Sequence, residues 1–156
     1  MKKVSIVLLE EYEKVLIYSI KFEHNEHTEF ENFLSKYKDI YSKDIGIIMA
    51  RIDKIIQDGV FDRHFRYAGK YKDKVFELPN NIETSKLRLY CIAYSPSIII
   101  LGNGGLKKSR TYNDDSELNG YVEILQEVDK KIGLEKKKNN SFKDDDILED
   151  LTFTLK

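Results

Sequence analysis

The clearest periodic stretch in the chain is Lys86 to Tyr112. Leu87, Leu89, Cys91 and Ala93 alternate with Arg88, Tyr90, Ile92 and Tyr94, a period of two that predicts a strand. Ser95-Pro96 favours a turn, and Ser97 to Leu101 then runs apolar as a strand covered on both faces would. Gly102-Asn103-Gly104-Gly105 reads as a sharp exit from that strand, followed at once by Lys107, Lys108, Arg110 and Tyr112. Upstream, Val4 to Leu9 and Val15 to Phe22 predict an N-terminal hairpin around a charged turn. Thr28 and Glu31 have capping-box spacing and open a helix with Phe30, Phe33, Leu34 and Tyr37 on its apolar side. A second helix starts near Asp44, carries Ile45, Ile48, Met49, Ile52, Ile55 and Ile56, and stops at Asp58-Gly59. The short link between the two favours an antiparallel helical hairpin. Val75 to Leu78 is a strand that Pro79 stops. A third helix, capped by Asp115 or Ser116, carries Leu118, Tyr121, Val122, Leu125, Val128 and Ile132 and ends at Gly133.

The order of elements predicts an α+β fold, a mostly antiparallel sheet covered by helices. Residues 1–133 read as one domain with an extra N-terminal hairpin. Residues 134–146 read as a charged linker, and Ile147 to Leu155 as a tail with an apolar edge. That acidic tail could cover a basic surface, serve as a handle for a partner, or fray.

Charge sharpens this picture. The formal net charge is −1, yet residues 60–112 hold ten Lys/Arg against four Asp/Glu, while both flanking segments are net acidic. The middle third is the candidate anion-facing surface. Within it, Arg63, His64, Arg66, Lys70, Lys72 and Lys74 are interleaved with Phe65, Tyr67 and Tyr71, a mixture suited to a flexible RNA strand. Cys91 is the sole cysteine, so no intramolecular disulfide forms and a reducing, cytoplasmic setting is expected. No apolar run approaches the length of a membrane span. The Gly-rich stretch lacks the pattern of a phosphate-binding nucleotide loop, and His24 and His27 lack a third spaced ligand, so neither a nucleotide cofactor nor a metal is expected.

From Gly69 onward the motif order resembles the RelE/ParE superfamily of bacterial toxins, most closely the RelE and HigB branches. The residues that carry the likeness are Gly69-Lys70-Tyr71 through Phe76-Glu77-Leu78, then Leu87-Arg88-Leu89-Tyr90, Ile98 to Leu101, and Lys107-Lys108. It spans roughly residues 28–132. It departs from the family at Asn103 to Leu106, where an aromatic or apolar residue is usual, and at Pro79, where many members carry Arg. The resemblance implies a curved, mostly antiparallel sheet packed with an N-terminal helical hairpin and a closing C-terminal helix. It also implies a metal-independent mRNA endoribonuclease that blocks translation, using the RNA's own 2′-hydroxyl and leaving a 2′,3′-cyclic phosphate. Arg88 matches the phosphate-clamping arginine, Lys108 the basic position after the buried strand, and Tyr112 the downstream tyrosine. Lys107 and Arg110 would add RNA contacts. The partners implied are a neutralising antitoxin with a helix-turn-helix, mRNA and the ribosome. The second reading of Arg88 is a cross-strand partner of Glu77. Alternative functions are a ParE-like, non-catalytic inhibitor of a DNA topoisomerase and a phage-derived interaction protein.

Overall fold

The computed structural model describes residues 2–68, 73–79, 86–107, 116–138 and, toward the C-terminus, 143, 146, 148–149 and 151–155. The strands are β1 (Lys2–Glu11), β2 (Leu16–Phe22), β3 (Arg66–Tyr67), β4 (Val75–Leu78), β5 (Leu87–Ser95), β6 (Ile98–Leu106) and β7 (Thr152–Leu155). The helices are α1 (Glu29–Tyr37), α2 (Ser42–Asp58) and α3 (Ser116–Lys138), with a 3-10 turn at Asp62–His64 between α2 and β3. The strands form one sheet in the order β3-β4-β5-β6-β2-β1-β7. Two antiparallel runs, β3 to β6 and β2-β1-β7, are joined by the parallel pair β2 and β6.

The RelE-like layout expected from the sequence is therefore overturned. The sheet is mixed rather than curved and antiparallel, because Ile98 to Leu101 runs parallel to Leu16–Ser19 at the centre. Those four β6 residues are at most 2% exposed, which fits a strand covered on both faces. Nor do α1 and α2 form an N-terminal helical hairpin. A strand hairpin precedes them, α1 packs chiefly on β6 and β2, and α2 packs on β5. Their short link joins two helices that each answer to the sheet.

Ser19 explains where α1 goes. Its Oγ donates to the Leu101 carbonyl at 2.7 Å and accepts the Phe30 N–H at 3.2 Å, all buried. Strand pairing between β2 and β6 stops at this residue, and the N-terminal end of α1 is fastened there. Thr28 and Glu31 form the expected capping box just ahead of it.

Two cores result. Phe33, Ile48, Ile52, Ile55, Leu89 and Leu101 lie on the α1–α2 face. Val122, Leu125, Val128, Ile132, Ile92 and Ile100 lie on the α3 face. Each of these side chains contributes roughly 1.5–3 kcal/mol relative to exposure. α3 runs past Gly133 to Lys138, since Leu134 to Lys138 are good helix formers and Gly133 sits where nothing crowds it. Among the described residues, the tail contributes an edge strand rather than a cover for the Glu77 corner. β7 pairs with Lys2–Ser5 of β1 at the sheet edge opposite β3, with Leu148 and Leu155 buried. Among the described residues no helix is long and apolar enough to cross a membrane.

Candidate functional site

β4 reads Val-Phe-Glu-Leu and is buried throughout. A carboxylate in such a strand is costly unless cations meet it. Register supplies them. Glu77 stands opposite Arg66 on β3 and Tyr90 on β5, and Arg88 lies two residues from Tyr90 on the same face. Lys107 follows the end of β6, its N–H bonded to the Lys86 carbonyl at 2.7 Å. The outcome is one carboxylate ringed by three cations. Arg88 Nε is 3.1 Å from Glu77 Oε2, Lys107 Nζ is 2.9 Å from Oε1, and Arg66 Nε is 4.0 Å from Oε1. Arg88 Nη1 also donates to the Leu87 carbonyl at 2.9 Å.

Glu77, Arg88 and Lys107 are buried, whereas the Arg66 side chain is 39% exposed. Burial pushes the Arg88 guanidinium down, Glu77 and Tyr90 push it back up, and Arg66 lowers it again. Counting formal charges, three cations face one carboxylate, with the Asp44 carboxylate a further acid acting on Arg88, and Arg66 is the member open to solvent.

The Gly-rich stretch behind this corner is not an exit turn. Gly102 to Gly105 lie inside β6, with one extra residue bulged against β5 between Leu89 and Cys91. A Cβ on Gly104 would overlap the Arg88 carbonyl oxygen. Cβ atoms on Gly102 and Gly105 would come within 2.9 and 3.0 Å of Leu125 and Leu118. Gly102 and Gly105 thus admit α3 to the strand, and Gly104 lets β6 pass close to β5, where the sequence suggested a sharp exit. Because Leu118 sits over Gly105, and Gly105 pairs with Arg88, the first turn of α3 lies at the same corner. That turn carries Glu117, whose carboxylate lies 3.6 Å from Lys36.

Of the candidate residues read from sequence, Arg66, Arg88 and Lys107 are brought together around Glu77. Arg63 and His64 gather elsewhere, around Asp58 at the end of α2, at 3.4 Å each. His64 is buried, and its pKa is lowered by that burial first, then by Arg63, with Asp58 opposing. Lys74 lies over the Tyr94 ring at 4.6 Å, and its carbonyl accepts the Ala93 N–H. That places it about five residues along β5 from Arg88, roughly 16 Å at strand rise. Lys70, Lys72, Lys108, Arg110 and Tyr112 lie outside the described residues. Glu77 as the hub of three cations went unread, although a lone acid between Phe76 and Leu78 was the signal for it. Arg51 and Lys54, near His64, were hidden in the amphipathic pattern of α2.

The chain matches no family model, no curated protein and no solved structure.

Proposed function

We propose that this chain is a metal-independent mRNA endoribonuclease that blocks translation and is held in check by a partner antitoxin. The observation that carries the reading is the Glu77 corner, three cations on one carboxylate with Arg66 open to solvent. The activity itself is suggested by the motif order alone, since the RelE-like layout is not the one this sheet adopts. When a 2′-oxygen attacks the neighbouring phosphorus, negative charge grows on the equatorial oxygens as the bond to the departing 5′-oxygen breaks. Arg66 would contact those oxygens, with Arg88 and Lys107 supplying a fixed positive field from behind. The buried Arg88 then acts on phosphate through its field, while Glu77 keeps the cations in place.

Lys108 is the next residue in the chain and Tyr112 follows four later. As a phenolate, Tyr112 would take the 2′-hydroxyl proton, and the phenol so formed would return that proton to the departing 5′-oxygen.

Induced expression in a bacterium tests the reading. Translation should stop and messages should be cut, with DNA supercoiling unchanged. Arg66→Ala and Lys108→Ala should each relieve the arrest at equal protein level, and Tyr112→Phe should slow cutting. Arrest with intact messages and altered supercoiling would replace this reading with topoisomerase inhibition.

A further inference from the structure

Arg51, Lys54 and Asp58 stand at i, i+3 and i+7 on α2, which puts them on one stripe of the helix. The segment Phe61 to His64 folds against the end of that stripe. Arg63 Nη2 lies 3.4 Å from Asp58 Oδ2, and the guanidinium carbon sits 5.1 Å from the Phe61 ring centre. Phe61 is itself braced from behind. A Cβ on Gly59 would come within 2.8 Å of its ring, and Gly59 has the positive φ of +107° that only glycine takes without strain.

Arg63 is thus held between an aromatic face and a carboxylate while 63% of its side chain remains exposed. Phe61 is 40% exposed, one of the few large apolar side chains on this surface. A guanidinium plane ordered in this way is a stacking platform for an unpaired base, and flanking cations suit the phosphates on either side. Burial first, then Arg63, with Arg51 and Lys54 adding, lowers the His64 pKa against Asp58, so these cations form one neighbourhood. Asp58 is committed to Arg63 and His64, and Asp62 on the exposed turn is the acid that opposes the cations.

We infer that Phe61, Arg63, Arg51 and Lys54 form a second RNA contact, which grips a single-stranded segment by base stacking and phosphate pairing. The inference rests on the reading of the Glu77 corner as the place where RNA is cut. It gives that site a substrate class, an unpaired strand long enough to touch both places. A duplex hides its base faces and would not use the platform.

The test is a titration of a fluorescent single-stranded 2′-O-methyl oligonucleotide, which binds but offers no 2′-hydroxyl for attack. Anisotropy is read for wild type, R51A/K54A, R63K and D62N, with thermal melts confirming that each variant folds. R51A/K54A should bind about tenfold more weakly, as the loss of two phosphate contacts implies. R63K keeps the charge and loses the stacking plane, so it should weaken binding about threefold or more. D62N should bind more tightly, and a duplex of the same sequence should bind less well than the strand. Wild-type binding that R51A/K54A and R63K leave within about twofold would overturn the inference and leave the corner reading standing. Binding that depends on the patch, with no cleavage of unmodified RNA either alone or with ribosomes, would support the patch and sink the corner. No binding of the strand by wild type would overturn both.

Discussion

The two cation clusters share a plan and differ in depth. Glu77 collects Arg66, Arg88 and Lys107; Asp58 collects Arg63 and His64. Glu77 is 1% exposed and Asp58 36%. In the first, Glu77, Arg88 and Lys107 cannot return to water without opening the sheet, so these charges depend on one another for folding. In the second, water and salt reach Asp58 and Arg63, and only His64 is buried. The same pairing chemistry is a structural hub in one place and an adjustable surface in the other.

The largest effect that separates them is loss of the hub acid. Glu77→Ala leaves Arg88 and Lys107 buried without their carboxylate and should cost about 3–5 kcal/mol in a denaturant melt. Asp58→Ala should cost no more than about 1 kcal/mol. Comparable losses from the two would erase the distinction drawn between them.

Next in size is the anchor at the sheet's split. Ser19→Ala strands the Leu101 carbonyl and the Phe30 N–H in the core and should cost about 1–3 kcal/mol. A neutral Ser19→Ala would mean that α1 is held by packing alone.

The smallest effect belongs to His64. Its folded pKa is lowered from 6.5 by burial, then by Arg63, against Asp58. The unfolded chain therefore binds a proton that the folded chain resists, and stability falls as pH drops below 6.5 toward the folded value. Thermal melts between pH 7.5 and 5 should show this decline, and His64→Gln should flatten it. An unchanged slope in His64→Gln would assign the decline to other groups.

Local order was legible where a single segment encodes it. The Thr28–Glu31 capping box, the Gly59 stop, strand β4 and the alternation in Leu87 to Tyr94 all appear as the pattern implies. What failed to show was pairing between distant segments. Nothing in the apolar run Ile98 to Leu101 says that its neighbour is β2, or that the two run parallel. The glycines of β6 looked like a turn because the helix that presses on them lies a dozen or more residues further along. Thr152 to Leu155 looked like a loose end because its partner, β1, stands at the other terminus. At the candidate site, the charge excess of residues 60–112 was visible, but the gathering of Arg66, Arg88 and Lys107 on Glu77, and of Arg63 beside the α2 stripe, needed the structure. Arg88 could be read as a phosphate clamp or as the partner of Glu77, and the register makes it that partner.

The most direct measurement of the central claim is the chemistry of the cut end. Purified protein, with ribosomes if they are needed and present throughout, should be given a short RNA and its twin carrying one 2′-deoxynucleotide at the cleaved position. The account predicts a 2′,3′-cyclic phosphate on the upstream product of the first and no cleavage of the second, because the attacking oxygen is gone. Cleavage of the deoxy twin, or a 5′-phosphate on the downstream product, would contradict it.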